Sequence, residues 1–500
     1  MTRNQSELLA EVRADFEALL NLVTGAEAQA ATVNQMERSL LRPLLAMGRK
    51  LLQLFLTHRA ETESHAPQYG WQRQKFLYHS QKTVDYLSVC PCPWPAARVG
   101  RCVGKLEVRR AYFYAPGAGG KTPLDRALSL PARCYSDLLM ECAELLAVDS
   151  AYDKATQVMA RLLGVEVSVL ALETSVAEQS QVVQPFYAQR EAFPRQEEGP
   201  ILVVQADGKG VRLVRDDTAP TGRRGKGDKK THKKEAIAVA VYTIAPYRRT
   251  PQEVVAALFQ DEVPAGMRPV PQHKQVFASL DGKATALRRL ARWAAQREGR
   301  HIRQRVALTD GAEALQVQMR HAFPTFTLVL DIIHVVEHLW SAGTALYGET
   351  DPQREAWVRT QTLDILSSRG AHVVHRLEES LKTLAMTSQA AKALRRVAGY
   401  LQRNQPYMDY AHYLKWSWPI GTGVIEGACR HLVKDRMELS GMRWTIAGAE
   451  ALLALRAVHE NGDWDTFHQF RREQRHKRLY GKPLIETWIN PVERLEINQI

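Results

Sequence analysis

No apolar stretch in this sequence is long enough to cross a bilayer. The opening Met1-Thr-Arg-Asn-Gln-Ser6 has neither the cationic start nor the apolar core of a secretory signal. Cysteine is scarce, six in 500 residues with no repeating spacing, which argues against a disulfide framework and for a reducing compartment. Acids are outnumbered: 54 Asp and Glu face 67 Lys and Arg, leaving a net charge of +13. Together these absences predict a cytoplasmic protein of roughly two to four domains. They also predict a polyanionic partner, nucleic acid in preference to a membrane surface.

Residues 1–70 read as an N-terminal helical region. Leu8, Leu9, Val12, Phe16, Leu19 and Leu20 recur at helix spacing, and so do Met36, Leu40, Leu44, Leu51 and Phe55. Such stripes are packing surfaces. Over 71–122 the texture turns to Pro, Gly, Cys and aromatics. Cys90 and Cys92 would supply half of a zinc ribbon, but no second pair follows at a suitable distance, so the segment reads as degenerate. Ala115-Pro-Gly-Ala-Gly-Gly-Lys121-Thr122 fits a permissive phosphate-binding loop, and Leu328-Val-Leu-Asp331 would serve as its acidic partner. A glycine-rich turn explains the first stretch equally well.

Residues 123–182 read as helical. Asp153 to Leu163, the turn at Gly164 and a short second helix from Ser168 to about Gln179 have helix-turn-helix grammar, for which an ordinary helical hairpin is the plain alternative. Val182 to Pro200, with Pro185 and Pro194, reads as a linker. The basic run Arg471-Arg-Glu-Gln-Arg-His-Lys-Arg478 falls in a C-terminal tail, 466–500, expected to give nonspecific backbone contact.

The chemistry concentrates elsewhere. Ile201-Leu-Val-Val-Gln-Ala-Asp207-Gly predicts a buried strand delivering one carboxylate to a sheet edge at a glycine turn. Arg305-Val-Ala-Leu-Thr-Asp310-Gly repeats the pattern, and Gly421-Thr-Gly-Val-Ile-Glu426 leads through glycines into a helix. Between the first two, Arg223, Arg224, Lys226, Lys229, Lys230, Lys233 and Lys234 form a basic loop placed to hold a phosphate backbone near Asp207. Strands near 234–245, 275–280 and 325–330 and a helix from Lys283 complete an alternation that predicts an α/β, ribonuclease H-like catalytic domain over 200–340 and 421–465. Residues 341–420, helical in pattern, are expected to be an insertion. Carboxylates from separate elements suit two hard divalent cations, which activate a nucleophilic oxygen and stabilise a leaving one.

The block from Gly421 to Arg436, with Ser440-Gly-Met-Arg443-Trp444, Gly448 to Arg456 and Trp464, resembles the DDE transposases of the ISKra insertion-sequence family, relatives of Mutator-type enzymes. Asp207-Gly-Lys-Gly, Asp310-Gly and Asp331-Ile-Ile-His334 are similar to the same family. The resemblance implies Asp207, Asp310 and Glu426 as catalytic, metal-holding triad, with two Mg2+ or Mn2+ ions. It implies as substrates the terminal inverted repeats of a mobile element and target DNA, handled by a homo-oligomer at a bacterial nucleoid. Asp331, His334, Arg443 and Trp444 would support the site. Where members of that family carry Cys-x-x-Cys, this chain has Ala115 and Ala118.

Asp331 competes with Asp310 for the second carboxylate role, and the Asp-Gly turn favours Asp310. A rival reading takes His334-Val-Val-Glu337-His338 as an inverted zinc-peptidase motif, which leaves the basic charge unexplained. A DNA-binding protein that has lost catalysis is the other alternative.

Overall fold

The computed structural model describes residues 4–69, 75–87, 105–214, 233–261, 268–383 and 385–481. The chain is mixed α/β with helix in the majority, and it divides into two compact units: residues 1–182 with 464–500, and residues 183–463. Among the described residues no helix is long and apolar enough to cross a membrane.

The first unit begins with helices Gln5–Thr24 and Val33–Glu61, each opened by a capping box, at Asn4 with Glu7 and at Thr32 with Gln35. An antiparallel sheet follows: β1 (Gln68–Tyr69), β2 (Lys75–Leu87), β3 (Lys105–Ala115) and β4 (Gly119–Lys121), in that order. The stretch that resembles a phosphate-binding loop is the β3–β4 hairpin turn, with Gly117 and Gly119 at positive φ. Cys90, Cys92 and Cys102 lie outside the described residues.

Helices Asp137–Asp149 and Tyr152–Leu163 come next. Gly164 takes the left-handed conformation at φ 64°, and Ser168 accepts from the amide of Ala171 ahead of helix Val169–Gln189. That helix is not short: it runs 21 residues, through Pro185 and across the expected linker. It carries Glu173 and Glu178 and no Lys or Arg.

The basic run near the C-terminus is no free tail. It lies in helix Trp464–Tyr480, where Arg471 and Arg475 pair with Asp137, and Arg472 lies 3.4 Å from Glu141. Tyr480 donates to the Leu130 carbonyl at 2.7 Å. Three cations are thus consumed inside the unit, because buried charge is tolerated only when paired.

The second unit is built on a sheet of five strands in the order β7-β6-β5-β8-β9. These are β5 (Ile201–Arg212), β6 (Lys233–Ile244), β7 (Gln272–Ser279), β8 (Gln304–Thr309) and β9 (Thr327–Leu330). β6 is antiparallel to both β5 and β7, whereas β8 and β9 run parallel to β5. The apolar runs Ile201–Val204 and Ala236–Tyr242 are buried throughout, as both-face coverage demands. Helices Lys283–Gln296 and Glu313–Ala322 supply the crossovers around β8, and Ile332–Tyr347 follows β9. Four further helices, Pro352–Leu366, Gly370–Thr383, Ser388–Asn404 and Tyr410–Lys415, intervene before the chain returns at Gly423–Ala428 and closes the unit with Ile446–Glu460. Leu377, Leu394, Val397 and Leu401 of this helical part share one apolar core with Val329, Val335 and Leu339.

One expectation for Asp207 needs correction. β5 is the buried central strand, and it does not turn at Asp207-Gly208 but continues to Arg212 in register with β6. Glycine there serves close approach: a Cβ on Gly208 would fall 2.2 Å from the Glu235 carboxylate.

Candidate active site

Sheet register sets the carboxylates in a row. Gln205 pairs with Leu308 across β5 and β8, and Thr309 pairs with Leu330 across β8 and β9. Counting on by two and by one residue, Asp207, Asp310 and Asp331 stand level across three adjacent strands. Directly opposed positions share a face of a sheet, so the three acids are presented to the same side. β5 continues past this row, still paired with β6, whereas β8 and β9 end just before it. Ligand sites of open sheets with parallel strands sit at such carboxyl ends.

The segment Ile420–Glu426 lies over this row. Ile332 donates its amide to the Ile420 carbonyl at 3.0 Å. The buried Gln205 side chain accepts from the Ile425 amide at 2.9 Å and donates to Tyr242 Oη at 3.0 Å and to the Gly421 carbonyl at 3.4 Å. Helix Gly423–Ala428 packs on β5 and β6 and carries Glu426, which is exposed. A π-helical turn, Cys429–Lys434, continues it. The buried Arg456 donates Nε to the Leu432 carbonyl at 2.9 Å and also bonds the His431 carbonyl, satisfying acceptors that a π turn leaves without their usual partners.

Asp207 accepts from the Gly208 amide at 2.6 Å and from the Cys429 thiol at 3.3 Å. Burial pushes its carboxyl above the ordinary range, the two hydrogen bonds pull it down, and the nearby Asp310 charge pushes it up again. The Cys429 thiol is raised by burial and by the Asp207 charge, so it is a donor and not a thiolate.

Asp310 is half-buried; Oδ1 accepts from the Ala312 amide at 3.0 Å, and among the described residues Oδ2 accepts nothing. Gly311 follows at φ 90°, a conformation that suits glycine.

Asp331 is fully buried and fully engaged. Its Oδ1 accepts from the amides of Ile333 and Thr422, both at 3.1 Å. Its Oδ2 accepts from Thr422 Oγ1 at 2.8 Å and from His334 Nδ1 at 2.7 Å. His334 is raised to about 9, first by this hydrogen bond and against partial burial, so it is an imidazolium at neutral pH.

Asp331, His334 and Glu426 offer ligand atoms within 4.8 Å of one another, and Asp207 and Asp310 fall outside that group. As it stands the group is an ion pair beside a carboxylate. A cation entering there must displace the His334 proton and compete with the donors already on Asp331. Thr422 Oγ1 also lies 2.9 Å from Glu426 Oε1, so one hydroxyl proton serves two carboxylates. Asp310 and Glu426 keep spare oxygen lone pairs, and the Asp310 charge reaches the buried Asp207, but these three acids do not gather their ligand atoms within 4.8 Å of one another. Oxygen-only ligands of that kind suit a hard divalent cation.

Sequence reasoning missed Gln205, Thr422, Cys429, Tyr400 and Arg403. Gln205 had a signal, a lone amide in an apolar strand; the others become visible only in three dimensions. Tyr400 Oη donates to the Asp310 carbonyl at 3.0 Å and Arg403 Nη2 to the Gly311 carbonyl at 3.0 Å, both from helix Ser388–Asn404.

Among the predicted supporting residues, Trp444 is buried and its backbone extends the edge of β5, donating to the Arg212 carbonyl at 3.0 Å and accepting from Val214 at 2.9 Å. Arg443 beside it is exposed. Lys233 and Lys234 open β6 opposite Arg212 and Val211, while Arg223, Arg224, Lys226, Lys229 and Lys230 lie outside the described residues. Of the rival zinc motif, His338 stacks 3.8 Å from the Tyr400 ring and His334 is held by Asp331.

No family model matches the chain, and no curated protein matches its sequence. Among solved structures, a chain titled Drosophila P element transposase strand transfer complex superposes with a TM-score of 0.23 and 8% identity, covering 69% of this chain and 82% of that one.

Proposed function

We propose that residues 183–463 form a ribonuclease H-like nuclease and strand transferase of the DDE type, acting on the ends of an insertion sequence, and that the chain belongs with the ISKra transposases. One observation supports the reading: the Asp310 charge reaches Asp207 at the end of the parallel pair β5 and β8, and the helix that bears Glu426 packs on β5. The strand order, with three antiparallel strands followed by two parallel ones, supports the ribonuclease H-like assignment.

In this reading Asp207, Asp310 and Glu426 hold two Mg2+ or Mn2+ ions, which when bound supply Lewis acidity to the attacking and leaving oxygens of a phosphodiester. The chain's own residues hold that arrangement in place. Gln205 and Thr422 fix the start of the Glu426 helix, Cys429 orients Asp207, and the His334 imidazolium balances the buried Asp331. The basic run from Arg223 to Lys234 contributes charge that attracts phosphates, and the DNA substrates are element ends and target.

The test uses the full chain and an end-labelled DNA fragment carrying the gene's own flanking sequence, with Mg2+. Asp207→Asn, Asp310→Asn and Glu426→Gln each remove metal-binding charge at constant volume. Each is expected to abolish strand cleavage and keep DNA binding. Wild-type levels of cleavage in any of the three would remove that residue from the triad, and no cleavage by the wild type would leave a DNA-binding protein.

A further inference from the structure

Helix Ile332–Tyr347 starts at the carboxylate row and leads away from it, packed along Ser388–Asn404. Near the row the two helices are joined by the contact of the His338 and Tyr400 rings, tilted by 30°, and further out Arg396 Nη2 lies 3.3 Å from Ser341 Oγ. Beyond that point they part. A cleft of about 860 Å³ opens between them, with Ser341, Ala345 and Gly348 on one wall and Lys392, Ala393 and Arg396 on the other. Small side chains on both walls keep it open.

The cleft has one sign of charge. Lys392, Arg396 and Arg403 are separated by four and seven residues, spacings that set them on one face of a helix. Arg403 is spent on the Gly311 carbonyl, but Lys392 and Arg396 are exposed and form no ion pair among the described residues. His338 is held below its ordinary value by burial and by the Arg396, His334 and Arg403 charges. The acids nearby, Glu337 and Asp310, stand at the inner end, where their charges reach His334 and Tyr400.

A row of carboxylates repels a phosphodiester. Something beside it must attract the chain and aim it. We propose that this cleft is a track for one strand of a polynucleotide, whose phosphates are held by Lys392 and Arg396 as the strand passes inward to Asp310 and Glu426. The inference rests on the reading of the carboxylate row as a nuclease site, and it assigns the helical part of the unit a share in holding substrate.

The test measures binding of a fluorescein-labelled oligothymidylate to the full chain across a salt series. Each phosphate contact on a single strand adds about 0.7 to the slope of log affinity against log salt, so Lys392→Gln with Arg396→Gln is expected to lower the slope by about 1.4. Affinity at low salt should fall about tenfold or more. Arg395→Gln with Lys415→Gln, also exposed, removes equal charge elsewhere and should leave the slope alone. Ala393→Trp, which fills the cleft without changing charge, should weaken binding and leave the melting temperature unchanged. An unchanged slope in the Lys392 and Arg396 variant, or full affinity in Ala393→Trp, overturns the track. Neither result touches cleavage by the carboxylates, which Asp310→Asn and Glu426→Gln report separately.

Discussion

Tyr400 donates its phenolic hydrogen to the main-chain carbonyl of Asp310, 3.0 Å away and 90 residues earlier in the sequence. The bond ties the turn that carries a proposed metal ligand to a helix outside the sheet. It also explains the glycine: a Cβ on Gly311 would sit 2.7 Å from Tyr400 Oη, at a φ of 90°.

Tyr400→Phe should therefore cost about 1 kcal/mol of stability, the worth of one hydrogen bond. The larger effect should be on metal dependence, because the Asp310 turn is loosened. Cleavage followed over an Mg2+ titration should need more metal for half-maximal rate and recover at saturation. An unshifted titration would make the bond merely structural. Gly311→Ala should be worse by about 1–3 kcal/mol, since clash and backbone strain add.

Asp331 and Asp310 end neighbouring strands, yet they should respond differently to substitution. Asp331→Ala leaves three amides, a hydroxyl and the His334 imidazolium without their acceptor in a buried place, at a cost of about 3–5 kcal/mol. Asp310→Asn should stay within about 1 kcal/mol of wild type. Urea unfolding of the two variants compares them directly, and similar midpoints would contradict the division of labour drawn here.

The first unit holds a buried pair with opposed titrations. Glu144, fully buried, is pushed up to about 7 by burial, and His468, also buried, is pushed down to about 3 by burial and by Arg471 and Arg472. For Glu144 the folded value exceeds the unfolded one, so its contribution is present below about 4.5 and is lost as pH rises toward 7. For His468 the folded value is depressed, so its contribution is present above about 6.5 and is lost as pH falls toward 3. The two slopes offset each other between about pH 4.5 and 6.5. Glu144→Gln removes one of them. It should raise stability by about 3 kcal/mol at pH 8 and leave it to fall with acid, measured by denaturant unfolding at several pH values. Equal curves for variant and wild type would show that Glu144 does not titrate in this window.

Cys429 should resist alkylation in the native protein at pH 8, whereas the exposed Cys134 should react. Mass spectrometry after iodoacetamide treatment reads both sites. Labelling of native Cys429 at the rate of Cys134 would mean that its thiol does not stay donated to Asp207.

The sheet was legible because its strands are apolar on both faces: Ile201 to Val204 and Ala236 to Tyr242 can hardly be anything else. Asp310-Gly311 was read correctly as a turn, since a glycine at positive φ leaves a local mark. The same dipeptide at Asp207 misled, because the reason for Gly208 is not a turn but the Glu235 side chain from the facing strand, a non-local cause. Arg471, Arg472 and Arg475 misled in the same way: a basic run reads as solvated until its acids, more than three hundred residues earlier, are found beside it. Tyr400 and Arg403 left no trace, because their partners are main-chain carbonyls, which every residue has.

Helix Trp464–Tyr480 completes a unit whose other residues end at Val182, and that has a consequence in time. Synthesis of the 281 residues from Val183 to Asp463 separates the two parts. At about 5–20 residues per second the interval is roughly 15–60 s. Throughout it Asp137 and Glu141 await their arginines, and only at its end does the second unit have all of its chain. The unit that is begun first is therefore finished last, and a nascent chain stalled at Asp463 carries every residue of the proposed carboxylate site joined to an incomplete companion.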